Sequence, residues 1–252
     1  MREKNMNLIG LTRSSDTRIE NFQVFGERRS GTNAVEDFIV ANTNLSARRN
    51  FGWKHGVPSF PIYPLSTLFI VVVRDPIDWF SALYRNPFEV KGSIADLDYS
   101  SFLRAEWQCV YRPRMSRWDL VGYDVDKQNG KGEELQLERH PLTGKRYRNV
   151  VELRSVKLLG HLSFLERGIN TIAIRFEDFL ADKVGFIETL WEAFEIEIHN
   201  PIKEQKSYVG PKFKRRKVVI PDPLPSNDLD FIMSQIDLDL ENRCGYLLDR
   251  TD

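Results

Sequence analysis

The sequence is short of the features that usually place a chain at sight. It holds two cysteines in 252 residues, Cys109 and Cys244, far apart. Two isolated thiols build no disulfide framework and a chain of this length needs none, so a reducing, cytoplasmic setting is the expectation. Cys109 reads as a small core residue in an apolar helical stretch. Charge of one sign is also lacking: 36 Lys and Arg stand against 36 Asp and Glu, for a net charge of zero. A nucleic-acid partner is therefore disfavoured, because such proteins carry a basic excess. Long apolar runs are missing too. The longest, Leu68–Val73, is far short of the roughly 20 residues that cross a bilayer. The opening MREKNMNLIG carries charges and no apolar stretch of signal-peptide length, so neither a leader nor a membrane span is expected. We find no internal repeat and no low-complexity tract.

What is present suits one α/β domain spanning residues 1–252, with 41% hydrophobic and 12% aromatic residues to fill a core. Met1–Ile19 reads as a lead-in or edge strand. Phe22–Phe25 is a short apolar run, and Ala34, Val35, Phe38 and Ile39 fall at helical spacing up to about Asn42. Asn42, Asn44 and Ser46 read as a turn, and Phe51–Gly56 as a strand leading into a loop. Thr67–Val73 is continuously apolar and β-branched, as a central strand buried on both faces must be. Asp75 and Pro76 then open a helix to Arg85. Further helices are predicted over Ser100–Tyr111, Asn149–Arg167 with Gly168 as its cap, around Phe186–Phe194, and over Asn227–Cys244, with a strand at Thr171–Phe176. Residues 88–148 read as an inserted segment. Strands alternating with helices predict a three-layer α/β/α fold around a central parallel sheet.

The most informative stretch is Gly26-Glu-Arg-Arg-Ser-Gly31-Thr32-Asn33. Strand, small-residue loop and helix start form an anion cradle, with backbone amides and the helix N-terminus supplying positive charge. The glycine spacing is that of a Walker A loop, but Thr32 stands where the Lys should follow the second glycine. Asn33 stands where Ser or Thr would hold Mg²⁺. The cations lie inside the loop instead, at Arg28 and Arg29. A ligand with a shorter anionic chain and no required metal fits these residues better than a nucleoside triphosphate.

Arg29-Ser30-Gly31-Thr32 resembles the 5′-phosphosulfate loop of sulfotransferases, with Arg in place of the commoner Lys. Val72-Val73-Arg74-Asp75-Pro76, followed by a helix carrying Ser81, is similar to that family's 3′-phosphate site. An arginine fork suits a phosphate. The family's serine usually lies eight residues after the arginine; here Ala82 holds that place, and Ser81 is one position early, about 100° around the helix. Ile174–Phe179 resembles a largely structural strand end of the family. The basic stretch Lys206–Lys217 is similar in position to its late 3′-phosphate loop, which carries over Lys212, Lys214 and Arg215. The matches span Phe22–Tyr246. The resemblance implies a P-loop NTPase-like sulfotransferase architecture, 3′-phosphoadenosine 5′-phosphosulfate (PAPS) as co-substrate, no metal, and sulfonate transfer to a hydroxyl or amine, a carbohydrate among the candidates.

The resemblance implies that Arg28, Arg29, Ser30, Gly31, Thr32, Asn33, Arg74 and Ser81 bind the cofactor. Arg29, with the amides of Ser30–Asn33, is the group expected to stabilise the leaving phosphate. His55, with Lys54 beside it, is the best-placed base of the four histidines. His140 in its turn is the alternative; His161 and His199 read as structural. Residues 88–148 place Trp107, Tyr111, Trp118 and Tyr123 among Arg104, Arg112, Arg114 and Arg117, a composition that suits a small-molecule or glycan acceptor, acidic if the arginines face it. The alternatives carried forward are a P-loop kinase or NTPase and a non-catalytic module that binds PAPS or its product.

Overall fold

In the computed structural model, residues 6–87, 89–110, 138–204 and 218–248 are described. They divide into two compact units, one drawn from residues 1–75, 157–209 and 243–245, the other from residues 76–156, 210–242 and 246–252. The strands are β1 (Gly10–Thr12), β2 (Asn21–Phe25), β3 (Ser46–Ala47), β4 (Thr67–Val73) and β5 (Thr171–Arg175). The helices are α1 (Thr32–Asn42), α2 (Pro76–Arg85), α3 (Gly92–Ala95), α4 (Tyr99–Arg104), α5 (Val150–Leu162), α6 (Phe176–Ala181), α7 (Lys183–Phe194), α8 (Ser226–Gln235) and α9 (Leu238–Arg243), with a 3₁₀ turn at Ser163–Glu166.

The first unit contains one sheet in the order β1-β5-β4-β2-β3. β5, β4, β2 and β3 run parallel, while β1 lies antiparallel on β5 with Gly10 opposite Ala173. The fold is α/β, and the sheet is mixed where a parallel one was expected. β1 reaches β2 through a loop with no helix, and without a crossover element the chain returns in the opposite direction. All seven residues of β4 are buried, which explains why the continuous β-branched run needed no polar alternation.

Side chains of the strands alternate between two faces. Phe22, Val24, Leu68, Ile70, Val72, Ile172 and Ile174 pack with Val35, Phe38 and Ile39 of α1, Phe179 of α6, and Phe186, Ile187, Leu190 and Phe194 of α7. Phe25 and Phe69 face an aromatic layer instead: Phe164 lies 4.9 Å from Phe25 and stacks on Phe69 at 5.2 Å, and Phe51, Phe60 and Tyr63 complete it.

Several boundaries differ from those predicted. Phe51–Gly56 is a turn, and the strand of this region is β3, at the predicted turn. The cause is Gln23, whose amide donates to the Gly52 carbonyl at 3.1 Å and accepts from the Phe51 N–H at 3.2 Å. These are the backbone groups a strand would pair with its neighbour. The helix predicted over Ser100–Tyr111 stops at Arg104. Beyond it the Trp107 N–H donates to Tyr147, and Cys109 bridges Val90. The long last helix breaks into α8 and α9, where Asp237 accepts from the Leu240 N–H and restarts the turn. Phe176 opens α6 and does not end β5.

In the second unit Trp79, Phe80, Leu83, Phe102, Trp107, Val150, Leu153 and Ile232 form the core. Within it Arg154 makes a two-pronged contact with Glu241, 2.6 and 2.7 Å, with side-chain exposures of 0% and 1%. Trp107 is fully buried, and Arg104 is committed to Asp228 at 2.5 Å and to the ring of Phe231. Tyr111, Arg112, Arg114, Arg117, Trp118 and Tyr123 lie outside the described residues. Among the described residues no helix is long and apolar enough to cross a membrane.

Candidate functional site

β2, β4 and β5 are adjacent and parallel, so the segments that follow them leave the sheet at one edge. Open α/β sheets bind ligands at the carboxyl ends of their strands. Here that edge carries Gly26–Asn33 after β2, Arg74 after β4 and Phe176–Glu177 after β5.

The loop after β2 is tightly folded on itself. Gly26 has φ 155°, and a Cβ there would lie 2.4 Å from the Val72 carbonyl oxygen and 2.7 Å from Ser30 Oγ. Ser30 closes the turn: its N–H and its hydroxyl both donate to the Glu27 carbonyl, at 3.2 and 2.8 Å. The Ser30 amide, expected to face the ligand, is therefore used within the loop. Gly31 caps α1 with φ 93°. The amides of Thr32 and Asn33 belong to the first turn of α1, where no preceding carbonyl of the helix can accept from them. Arg28 turns inward, 4% exposed, with its guanidinium 5.3 Å from the Trp53 ring centre. Arg29 is exposed, with its backbone in the left-handed region at φ 71°.

The Trp53-Lys54-His55 strap is stapled to this loop at Gly26. The Gly26 N–H donates to the Lys54 carbonyl at 3.0 Å, and His55 Nδ1 lies 2.7 Å from the Gly26 carbonyl. A carbonyl only accepts, so Nδ1 carries the proton and Nε2 of the neutral ring is the acceptor. Lys54 Nζ donates to Asn33 Oδ1 and lies 3.7 Å from Glu36, which also pairs with Arg49 at 2.7 Å. A lysine thus reaches the first turn of α1 from a different segment. Lys157, 2% exposed on α5, holds its ammonium 5.1 Å from the Trp53 ring centre.

Desolvation, then the charges of Lys54, Arg28 and Lys157, hold His55 well below the ordinary imidazole value; the bond to Gly26 opposes them. The residue as a whole keeps partial solvent contact. His161, hydrogen-bonded to the Gly56 carbonyl at 3.1 Å, is pushed down to about 3 by burial first and by Lys157 second.

Arg74 bends back toward the first loop. Its Nη1 donates to the Arg29 carbonyl at 3.2 Å, and its guanidinium lies 5.9 Å from the Phe176 ring centre. The Asp75 N–H donates to Glu177 at 3.1 Å.

Arg28 to Asn33, Lys54, His55 and Arg74 therefore come together in the first unit. Ser81 is 8% exposed on α2, in the second unit. His140 is in a turn of the same unit, where its Nδ1 accepts from the Leu142 N–H. Lys212, Lys214 and Arg215 lie outside the described residues. His161 is buried with its ring bonded to the Gly56 carbonyl, and His199 bonds Asn44 and the Ala41 carbonyl. Sequence reasoning passed over Gln23, Trp53, Lys157 and Phe176. A lone Gln inside an apolar strand was the one available signal; the others are ordinary residues until the fold gathers them. Comparison with family models, with curated proteins and with solved structures returned no match.

Proposed function

We propose that the chain is a P-loop-like sulfotransferase that moves a sulfonate group from PAPS to a hydroxyl or amine of a small-molecule or glycan acceptor in the cytoplasm. The observation that carries this reading is the meeting of Arg74 with Arg29 at one strand edge. A two-anion ligand needs two such cationic places, and the Gly26–Asn33 loop has Thr32 and Asn33 after its second glycine in place of the Lys and Ser or Thr that a metal–triphosphate site requires there.

The residues fit the cofactor's charges. Arg29 and the first-turn amides of α1 would meet the 5′-phosphosulfate, and Arg74 the 3′-phosphate. Lys54, held at Asn33, supplies the compact cation that the loop itself lacks. PAPS supplies an activated sulfonate. His55 Nε2 takes the acceptor proton as the acceptor oxygen bonds to sulfur and the sulfur–oxygen bond to the phosphate breaks. The products are a sulfate ester, 3′-phosphoadenosine 5′-phosphate (PAP) and a protonated His55. Positioning and electrostatics carry most of such a transfer.

The depressed basicity of His55 favours a second reading, a binding module that holds PAPS or PAP without turnover. Calorimetry with PAP and with ATP separates the cofactor classes: tight PAP binding without Mg²⁺ supports the proposal, and Mg²⁺-dependent ATP binding and turnover favours a kinase or NTPase. Radiolabelled PAPS offered with sugar, lipid and phenolic acceptors then separates enzyme from module.

A further inference from the structure

The residues that open α6 touch both halves of the candidate site. Phe176 lies against Gly31: a Cβ on that glycine would sit 2.2 Å from two carbons of the ring. Only glycine at φ 93° lets the ring approach so closely. The same ring lies 5.9 Å from the Arg74 guanidinium, within cation–π range. Beyond it, Phe179 stacks at 6.3 Å and 23°, and Phe179 is 1% exposed in the core. The ring is therefore backed by packed side chains. The next residue, Glu177, accepts from the Asp75 N–H at 3.1 Å and holds the backbone immediately after Arg74.

Resting on the two-anion reading above, we infer that Phe176 and Glu177 form a clamp that sets the spacing between the Gly26–Asn33 loop and Arg74. They are positioning residues, which select a ligand whose two anionic groups match that spacing. The physical basis is that β5 lies next to β4, and β4 next to β2. α6 leaves the sheet beside both anion-binding segments, and an aromatic ring between the loop glycine and the arginine acts as a rigid spacer. Packed interiors yield little to small displacements, and an error of about 1 Å in such a site costs up to about a hundredfold. Glu177 holds its end through the Asp75 N–H and so fixes the backbone position next to Arg74.

The test is a ratio of affinities. Calorimetry with PAP and with adenosine 5′-monophosphate, which lacks the 3′-phosphate, is run on the wild-type chain and on Phe176→Leu, Phe176→Tyr and Glu177→Ala. The clamp predicts that Phe176→Leu binds the monophosphate as before but loses about tenfold of the preference for PAP. Phe176→Tyr, which keeps the ring, retains the preference. Glu177→Ala leaves the Gly31 contact in place and loses the preference in the same direction, which decides the matter if Phe176→Leu fails to fold. An unchanged ratio in Phe176→Leu, or in Glu177→Ala where the first does not fold, overturns the clamp while leaving the two-anion reading standing. A wild-type chain that binds PAP no better than the monophosphate overturns the two-anion reading and the clamp with it.

Discussion

The guanidinium of Arg74 donates to the backbone carbonyl of Arg29 at 3.2 Å, across 45 residues of sequence. The two arginines belong to separate motifs, and this bond places them at one edge of the sheet. Replacing Arg74 by Ala should weaken PAP binding by about ten- to a hundredfold, the range for a charge-assisted bond to a phosphate. Lys should restore little of it, because a point charge does not reproduce the fork. Calorimetry checks both; unchanged affinity in Arg74→Ala removes Arg74 from the site.

His55→Ala should abolish sulfonate transfer while PAP still binds. The wild-type pH profile carries a sharper signature. Because His55 sits well below the usual imidazole range in the free protein, the acid limb of kcat/KM should fall below pH 6.5. Anions bound near Lys54 and Arg28 offset the charges that depress it, so the limb of kcat should lie at higher pH. Near-normal turnover in the alanine variant would end the assignment of His55 as base.

Gly31→Ala is expected to be severe. It forces a side chain into φ 93° and drives a methyl group into the Phe176 ring. A loss of roughly 2–3 kcal/mol in denaturant unfolding is expected, with loss of PAP binding. A variant of wild-type stability would show that the ring yields readily.

His161 should make the fold sensitive to acid. Its folded value, about 3, lies below the unfolded value of 6.5. Protonation therefore favours the unfolded chain: the contribution is complete above pH 6.5 and is lost as pH falls from there toward 3. Stability should decline by roughly 1 kcal/mol per pH unit from this group below about pH 6. In His161→Gln that part of the slope should disappear, which urea titrations at pH 7, 6 and 5 will read directly.

Arg154 and Glu241 are both buried in the second unit, so neither tolerates the loss of the other. Arg154→Ala should cost about 3–5 kcal/mol, whereas the double change Arg154→Met, Glu241→Leu should come close to neutral. Equal losses in the single and double variants would contradict this account.

Much of the fold was legible because local signals agreed with the tertiary outcome. Thr67–Val73 and Pro76–Arg85 were read with their observed boundaries, since a buried β-branched run and a proline at the first helical position leave little choice. Glycine spacing, interior arginines and the missing lysine likewise located the Gly26–Asn33 loop. What composition and spacing alone could not carry were the long-range competitions: the Gln23 side chain displacing a strand at Phe51–Gly56, β1 joining antiparallel, and the early end of α4 at Arg104.

The sequence by itself determined that a glycine-bounded loop with two arginines follows β2 and that an arginine follows β4, because turn chemistry and apolar runs are local properties. Only the tertiary structure decided that Arg74 meets Arg29, that Lys54 supplies a cation at α1, and that Phe176 stands against Gly31. These are consequences of strand order, and strand order is set by which buried faces pair, a choice made between residues far apart in the chain.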